Sequence, residues 1–398
     1  MPHLAGGTRL RPVTGNFDVI VLGAGMAGAS LAAELAPHRS VLLLEVEDQP
    51  GRHATGRSAA MFFESYGNAT IRALTRASRA FLAAPPAGFC AVPLLSPRAC
   101  LFVADESQRE SLEAMLQAPD ATRSLRRLGA ADALARVPVL RSDWLVAAAI
   151  DETGSDIDVA ALHEGYVRLA ARSGARLVLG AGAQRLERRG GLWHSLSSAG
   201  EFSAPVLVNA TGAWADEVAE RAGVPRVGLQ PMRRTALLLP APEGHDSRHW
   251  PLVIDADESF YFKPDAGRLL LSPANEDPMP PCDVMPEELD VAIAVDRFER
   301  ATTVAVTRVM HRWAGLRSFV ADRTPVVGFD AAAEGFFWLA GQGGYGIQTA
   351  PALARAAAAL VLGAALPDSV SREGVTGAAL APGRPALQLR DRTGTALA

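Results

Sequence analysis

Three stretches of the chain share one pattern of apolar and polar positions. Each has a short apolar run, then glycines, then a longer segment in which apolar residues recur at helical spacing. They cover residues 17–35, 204–220 and 335–363. Buried strands that enter glycine turns before helices are typical of parallel sheets with helices on both faces. We therefore predict one doubly wound α/β sheet that is assembled from distant parts of the chain.

The segments between these stretches have a different pattern. Residues 82–145 and 231–318 contain short strands that Pro, Asp and Gly interrupt, as in "SFYFKPDAGRLLLSP". This pattern predicts a second domain with a mixed or antiparallel sheet, inserted into the first. We assign the first domain to residues 17–81, 146–230 and 319–376, so it is discontinuous in sequence.

Composition narrows the class of protein. The chain has 398 residues and a formal net charge of −4, which gives no reason to expect a nucleic-acid partner. Its three cysteines lack metal-ligand spacing, so we predict neither a disulfide framework nor a metal site. No apolar run approaches the roughly 20 residues of a membrane-spanning helix. We expect a cytoplasmic protein, with peripheral membrane contact left open, and flexible tails at residues 1–16 and 377–398.

A glycine motif, "GAGMAG" at residues 23–28, follows the first apolar run and precedes a helical pattern. In such a motif Gly25 lets the backbone approach a pyrophosphate, which the helix N-terminus attracts, and Gly28 lets the helix pack against the strand. A second apolar run ends in Glu45, 22 positions after Gly23. That is close to the roughly 20 expected for an acid that binds ribose hydroxyls, so we predict a dinucleotide site.

Two further features favour FAD over NAD. Residues 51–58, "GRHATGRS", supply backbone amides and hydroxyls where the second phosphate and ribityl chain of FAD would lie. Residues 208–212, "VNATG", form another turn at a strand end that is often found in FAD proteins. The residues expected to bind the cofactor, including later ones for the flavin end, are Gly23, Gly25, Met26, Ala27, Gly28, Glu45, Val46, Thr55, Gly56, Arg57, Ser58, Ala59, Ala210, Gly212, Gly343, Tyr345, Gly346 and Ile347.

Several longer motifs carry a family resemblance: "ATGRSAAMFFESYG", "VNATGAWAD", "LQPMRRTA", "DESFYFKPDAG", "WAGLRSFVADRTPVVG" and "EGFFWLAGQGGYGIQT". With them the sequence resembles the D-amino-acid oxidase superfamily of FAD enzymes, and within it bacterial D-amino-acid dehydrogenases of the D-arginine dehydrogenase type. The resemblance implies a glutathione-reductase-like FAD domain and oxidation of an amino acid to an imine by hydride transfer to the flavin. Water then hydrolyses the imine to a 2-oxo acid and ammonia. The electron acceptor, either a quinone- or dye-type acceptor or oxygen, and the oligomeric state stay open.

The resemblance also implies the active-site residues. Those that match family positions are Arg317, Arg234, Tyr261, Tyr66, Gly344 and Gln348. Arg317 is the first choice for the substrate carboxylate, because the planar guanidinium fork of arginine can bind both oxygens. The tyrosines match a lid and a hydrogen bond on the carboxylate side, and Gln348 and the carbonyl of Gly344 match partners of the substrate amine.

Three positions of the implied side-chain pocket differ from D-arginine-type enzymes. Met61, Phe63 and Cys100 occupy places that resemble polar ones there. A buried guanidinium would lack its partner against these side chains, so we predict apolar rather than basic D-amino acids as substrates. No cysteine falls in the C-terminal flavin-facing motifs, so we expect non-covalent FAD. Lys263, two residues after Tyr261, is expected to point to the surface.

Two alternatives stay open. One is an enzyme like sarcosine or glycine oxidase, which would act on a secondary amine or a small amino acid. The other is a non-catalytic flavoprotein that binds FAD for structure or as a partner module. The presence of Arg317, Tyr261 and Tyr66 argues against the second alternative, because a scaffold needs no carboxylate clamp.

Overall fold

The computed structural model of the protein describes residues 13–118 and 124–388. The strands are β1 (Val13–Asn16), β2 (Val19–Leu22), β3 (Val41–Leu44), β4 (Met61–Phe62), β5 (Leu95–Pro97), β6 (Cys100–Ala104), β7 (Leu125–Leu128), β8 (Ala147–Asp151), β9 (Ser155–Ile157), β10 (Arg176–Val178), β11 (Arg185–Arg189), β12 (Leu192–Ser197), β13 (Gly200–Ala204), β14 (Val206–Asn209), β15 (Gln230–Pro240), β16 (Leu252–Asp255), β17 (Tyr261–Asp265), β18 (Arg268–Ser272), β19 (Asp277–Pro278), β20 (His311–Phe319), β21 (Val326–Phe329) and β22 (Phe336–Ala340). The helices are α1 (Met26–Leu35), α2 (Ala69–Ala83), α3 (Arg109–Gln117), α4 (Ala130–Arg136), α5 (Val159–Arg172), α6 (Ala215–Arg221), α7 (Glu288–Ala301), α8 (Ala350–Val361), α9 (Asp368–Ser371), α10 (Gly377–Leu380) and α11 (Pro385–Gln388).

A six-stranded sheet forms the centre of the first domain, in the order β10-β3-β2-β14-β22-β21. All neighbouring pairs are parallel except β21 with β22. Strand β2 is buried at every position because apolar clusters cover both faces of the sheet, which is why its sequence is a continuous apolar run. The predicted doubly wound sheet, built from distant segments, is confirmed.

A nine-stranded sheet forms the second domain. Its order is β19-β15-β18-β17-β16-β6-β8-β7, and β20 pairs with β15. The pairs are antiparallel except β16 with β6, so the predicted mixed sheet is confirmed. The predicted boundary at residue 146 needs correction, because β8 pairs with β6 and β7 in this sheet. Its alternate residues enter two apolar clusters of the second domain, Ala148 and Ile150 on one side and Ala149 on the other.

Two elements join or flank these sheets. A small sheet, β4-β9-β5, pairs residues 61–62 with residues 155–156, so the segment after the glycine-rich loop is attached to the second domain. A four-stranded sheet, β1-β13-β12-β11, lies in the first domain. Across residues 13–118 and 124–388, no helix is both long and apolar enough to cross a membrane.

Parts of both predicted tails are ordered structure instead. Residues 13–16 form β1, which pairs in parallel with β13, and residues 377–388 include α10 and α11. Composition was misleading here. These residues lack a periodic pattern because contacts with distant parts of the chain, and not local amphipathic packing, order them. The rest of the two predicted tails, residues 1–12 and 389–398, lies outside the described residues.

Arg384 is the main anchor of the C-terminal segment. Its side chain is only 6% exposed, and its guanidinium donates to both carboxylate oxygens of Asp322, at 2.7 and 2.8 Å. It also donates to the carbonyls of Thr324 and Pro325, at 2.6 and 3.2 Å. Burial raises the pKa of Asp322, but the bonds from Arg384 outweigh it and hold that pKa below its usual value. The C-terminal segment is thereby fastened to the turn that follows β20.

We predict that Arg384→Ala lowers the stability of the holoenzyme. The substitution leaves the Asp322 carboxylate without its cation, which should cost about 2–3 kcal/mol, slightly below the range for a fully buried pair. The measurement is the Tm of the variant against wild type. Arg372→Ala is the matched control, since that arginine pairs with Asp368 with both side chains about 80% exposed. An exposed pair of this kind should contribute less than about 0.5 kcal/mol. Equal Tm shifts in the two variants would contradict the prediction.

Candidate active site

A cavity of about 450 Å³ runs from the carboxyl ends of β2 and β3 to strand β20. That volume falls within the roughly 300–1,000 Å³ of ligand sites, and the carboxyl edge of a parallel sheet is where such folds bind ligands. A second, smaller cavity of about 60 Å³ adjoins it. Residues that line both are Ser58, Ala59, Arg234, Tyr261, Arg317, Gly344 and Ile347.

The glycine turn before α1 has the close packing that a dinucleotide site needs. Gly23 has φ +95°, and a Cβ there would lie 2.6 Å from the carbonyl oxygen of Ala210. A Cβ on Gly28 would lie 1.9 Å from the carbonyl oxygen of Gly23, so only glycine lets the helix approach the strand this closely. The N–H of Met26, at the start of α1, donates to Oγ1 of Thr55 at 2.9 Å, which joins the glycine turn to the loop at residues 51–58.

Glu45 directly follows β3, and its carboxylate is fixed at the cavity wall. Its Oε2 accepts the N–H of Ala24 at 2.7 Å and its Oε1 accepts the N–H of Glu47 at 3.0 Å. The side chain is 7% exposed and lines the large cavity. Each carboxylate oxygen has a further lone pair, so the arrangement fits an acceptor for two ribose hydroxyls.

Most of the predicted cofactor residues are brought together. Those that line the large cavity are Gly23, Gly25, Met26, Ala27, Glu45, Val46, Thr55, Arg57, Ser58, Ala59, Ala210, Gly212, Gly343, Gly346 and Ile347. Gly28, Gly56 and Tyr345 do not line it. The Tyr345 ring packs against those of Tyr66 and Phe319, with centroids 4.9 and 6.2 Å away, so its side chain does not face the cofactor space.

Arg57 lines the large cavity, and its side chain also joins the two domains. Its guanidinium donates to the carbonyls of Val284 and Ala314, both at 3.0 Å, and forms an ion pair with Asp283. The charge of Arg57 is therefore used between the domains, which leaves the predicted contribution of this loop, its backbone amides and hydroxyls, untouched. Residues 278–286 belong to the second domain. Two of them, Cys282 and Val284, line the large cavity, so both domains contribute to its wall.

Among the residues that the structure describes, Arg317 is a cation without an acidic partner. It lies on β20, lines both cavities and is partly buried. Across the described residues, no Asp or Glu oxygen lies within ion-pair distance of it, and its one hydrogen bond runs from Nη1 to the Tyr66 hydroxyl at 3.4 Å. Burial lowers the pKa of Arg317, but Tyr66 and Tyr261 outweigh this effect, so the net pKa lies above its usual value. The guanidinium is charged and available to an anion.

Arg234 differs from Arg317 in having partners. The register of β15 with β20 places both arginines on one face of the sheet, since Arg317 pairs with Met232, two positions from Arg234. Arg234 is 8% exposed and donates to the Asn275 carbonyl at 2.8 Å and to Glu276 at 3.1 Å. Burial and the charge of Arg317 lower the pKa of Arg234.

The pKa values of the two tyrosines are shifted in opposite directions. Burial raises the pKa of Tyr66 well above its usual value, so its phenol stays a hydrogen-bond donor. Burial also raises the pKa of Tyr261, but Arg317 and Arg234 outweigh it and the net pKa is lowered. Tyr66 is held by ring stacking on Phe63, with centroids 4.8 Å apart. Both phenols therefore border the free guanidinium, as the motifs predicted.

Gln348 and Gly344 both line the small cavity. Gln348 is 3% exposed; its Oε1 accepts the N–H of Phe63 at 3.3 Å, and its Nε2 donates to Thr75 at 3.0 Å. It therefore also joins the pocket segment to α2. Gly344 packs closely behind the arginine, because a Cβ there would lie 2.8 Å from Nη1 of Arg317.

The small cavity has one mainly apolar wall. Met61 and Phe63 line it, as predicted, together with Leu252 and Ile254 of β16. Sequence reasoning missed the last two, because alternation along β16 shows two faces but not which of them meets the cavity. Cys100 lines neither cavity, so its predicted place in the pocket is wrong. It pairs with Leu252 from the neighbouring strand β6 and is fully buried in an apolar cluster.

Lys263 is not on the surface, contrary to expectation. Its side chain is 7% exposed, and Nζ donates to Asp156 at 2.6 Å. Arg98 binds the other oxygen of the same carboxylate. Since Asp156 lies on β9, the partner that buries Lys263 comes from a distant strand.

The comparisons with known proteins agree with this geometry. A family model described as "DAO: FAD dependent oxidoreductase" matches residues 18–360. The chain belongs to this family. The large cavity has the residues to hold the FAD of this family. The glycine turn and Glu45 lie at one end, and Gly343, Gly344, Gly346 and Ile347 lie at the other.

Individual relatives are distant. The chain is 27% identical to "FAD-dependent oxidoreductase domain-containing protein 1" of Bos taurus over 176 residues, which covers 39% of this chain and 35% of that protein. It is 27% identical to "Glycerol-3-phosphate dehydrogenase 1" of Mycobacterium tuberculosis over 335 residues, or 77% of this chain and 63% of that protein. The chain thus spans less than two thirds of the length of these curated relatives.

Solved structures share the fold. Glycine oxidase from Geobacillus kaustophilus matches with a TM-score of 0.77 at 21% identity, over 91% of this chain and 99% of that one. L-proline dehydrogenase from P. horikoshii also matches with a TM-score of 0.77, at 19% identity and the same two coverages. At these identities the likeness concerns the fold.

We predict that this family member holds its FAD without a covalent bond. Acid precipitation of the purified protein should release the yellow colour into the supernatant, where its absorbance is measured. Cys282 makes the test specific, because it is the cysteine that lines the large cavity. Colour that stays in the pellet of wild type but leaves with Cys282→Ser would overturn the prediction and identify the attachment point.

Proposed function

We propose that the protein oxidises D-amino acids with apolar side chains at the Cα–N bond. The observation that carries the proposal is Arg317, an arginine that lines both cavities without an acidic partner among the described residues. Such a cation is stabilised when an anion binds it with two oxygens. An amino acid's carboxylate has that geometry and fits beside the phenols of Tyr66 and Tyr261.

The reaction follows from this orientation. With the carboxylate on Arg317, Cα lies towards Gly344, which borders both cavities, and the carbonyl of that residue is the proposed acceptor for the substrate amine. FAD, when bound, would supply the two-electron oxidant for this step, accepting the Cα hydrogen as hydride. The substrate amine would release one proton to solvent, and the resulting imine would add water to give a 2-oxo acid and ammonia.

The side chain of the substrate would lie against Met61, Phe63, Leu252 and Ile254. Burying an apolar group there gains about 1.5–3 kcal/mol, whereas a guanidinium or ammonium would lose its hydration without a partner. Glu64, an acid close to this wall in sequence, is held elsewhere by Arg79 at 2.6 Å. The wall therefore favours apolar over basic substrates.

A second candidate is oxidation of a small amino acid or secondary amine, as the sarcosine- or glycine-oxidase alternative requires. The observation that favours it is the small cavity, which at about 60 Å³ holds roughly four or five waters. Glycine, alanine or sarcosine would fill it, whereas a phenylalanine side chain would require Phe63 or Met61 to move.

Arg317→Ala should remove most amino-acid turnover while FAD stays bound. Loss of a charge-assisted, two-oxygen contact should cost about 3–5 kcal/mol, or roughly two to four decades in kcat/KM. Steady-state kinetics with an artificial electron acceptor and the FAD-to-protein ratio measure the two effects. Arg312→Ala on the same strand is the matched control, since that side chain is 43% exposed and pairs with Glu288 at the surface. Normal kcat/KM in Arg317→Ala would place the carboxylate elsewhere, with Arg234 the first alternative.

A substrate panel tests the proposed class. We expect kcat/KM for D-alanine, D-methionine and D-leucine to exceed that for D-arginine and D-lysine by more than tenfold, since an unpaired buried charge costs about 1.4 kcal/mol or more. The panel includes the L-enantiomers, glycine, sarcosine and glycerol 3-phosphate.

The other possible outcomes distinguish the alternatives. The highest kcat/KM for glycine or sarcosine would favour the second candidate. A lead for D-arginine would contradict the apolar pocket, and turnover of glycerol 3-phosphate alone would mean that Arg317 binds a phosphate. Absence of anaerobic flavin bleaching with the whole panel would favour a non-catalytic protein.

A further inference from the structure

The turn after β20 holds an arginine in an unusual backbone conformation. Arg323 has φ +56°, in the left-handed region where residues other than glycine are strained. The turn is closed by a hydrogen bond from the Arg323 N–H to the carbonyl of Val320 at 2.9 Å. Glycine at this position would relieve the strain, so the arginine side chain must contribute something that outweighs it.

The neighbours of Arg323 hold it in place from several directions. Arg384 from the C-terminal segment binds Asp322 and the carbonyl of Thr324, on either side of it. Asn68, which caps α2 two residues after Tyr66, donates to the carbonyl of Asp322 at 3.2 Å. The turn thus joins the C-terminal segment to the strand with Arg317 and to the segment with Tyr66.

The side chain of Arg323 pairs with the acid Glu276. Nη1 and Nη2 donate to its two carboxylate oxygens at 2.9 and 2.8 Å, and the guanidinium lies 3.8 Å from the ring centroid of Phe319. Glu276 also accepts a bond from Arg234 at 3.1 Å. Burial raises the pKa of Glu276, but Arg323 and Arg234 outweigh it and hold that pKa below its usual value. Glu276 is therefore a charged acid shared by two arginines.

Glu276 is also the acid best placed to neutralise Arg317. Its charge acts on both arginines of the site, and Arg234 lies on the same sheet face as Arg317. Another acid whose charge acts on Arg317 is Glu258, in the turn between β16 and β17. Burial outweighs the nearby arginines and raises the pKa of Glu258, whereas the pKa of Glu276 is lowered, so Glu276 is the acid that more readily carries a charge. If Glu276 were released, its carboxylate would compete with an incoming carboxylate for the free guanidinium.

We propose that Arg323 is a positioning residue that keeps Glu276 away from Arg317, and so keeps Arg317 free for the substrate carboxylate. The bidentate contact occupies both oxygens of Glu276, while the strained turn sets Arg323 at the distance this contact needs. The inference rests on the proposed function, since it assumes that Arg317 binds a carboxylate. It assigns a role in substrate affinity to a residue that contacts no substrate.

The test measures binding of acetate, a minimal carboxylate, to the holoenzyme by calorimetry. Arg323→Gly removes the cation and suits the left-handed backbone, so the fold should be kept. We expect the acetate Kd to rise about tenfold, as for loss of one favourable charge contact. The double variant Arg323→Gly with Glu276→Gln should bind acetate within about twofold of Glu276→Gln alone, because the competing carboxylate is then gone. In turnover, Arg323→Gly should raise KM with kcat nearly unchanged.

Two controls separate this effect from general changes. Ala266→Gly makes the same kind of substitution at another exposed left-handed position, φ +46°, in the β17–β18 hairpin, and should leave the acetate Kd unchanged. Arg323→Lys keeps the charge but not the two-oxygen contact, and should rescue part of the affinity. An unchanged Kd in Arg323→Gly, or equal loss in the single and double variants, would overturn the inference. If wild type itself binds no acetate, the proposed carboxylate site fails instead, which is a distinguishable result.

Discussion

An arginine charge inside a protein is costly unless a partner neutralises it, and this constraint organises the site. Arg233, the residue before Arg234, points to the opposite face of β15 and pairs with Asp277, Glu287 and Asp290. On the site face, Arg234 has Glu276, while the partner of Arg317 within residues 13–118 and 124–388 is a phenol, that of Tyr66. The strand pair β15–β20 thus separates arginines whose charge serves the fold from one whose charge is left for a ligand.

Sequence motifs were sufficient for the features whose chemistry is local. Neighbouring residues define the glycine turn, the acid after β3 and the strands before them. These features can therefore be recognised without knowledge of the rest of the chain. Arg317 and Tyr261, which line both cavities, could likewise be singled out because each lies in a motif that is continuous along the chain. The mixed second sheet could be predicted from its interrupted strands, although the sequence did not show that β8 belongs to it.

Features that depend on distant partners could not be predicted in this way. Lys263 was placed on the surface because Asp156, which buries it, comes from another strand. Arg384 was placed in a tail because Asp322, which orders it, is 62 positions away. Cys100 was placed in the pocket because its motif matches, whereas the strand order puts Leu252 there instead. In each case the deciding interaction is a pairing across the fold, which no local pattern encodes.

The discontinuous first domain has a consequence for how the holoenzyme is made. Strand β14 pairs on one side with β2, at residues 19–22, and on the other with β22, at residues 336–340. The central sheet is therefore incomplete until residue 340 has been synthesised, and closing such long chain segments is slow. Until then the apolar strands of the N-terminal part lack their neighbours and are exposed to aggregation in the nascent chain. Since Gly343, Gly344, Gly346 and Ile347 line the large cavity, the complete FAD site also forms only after this part of the chain has been synthesised. The supply of FAD and of chaperones in the producing cell should therefore influence the yield of active protein.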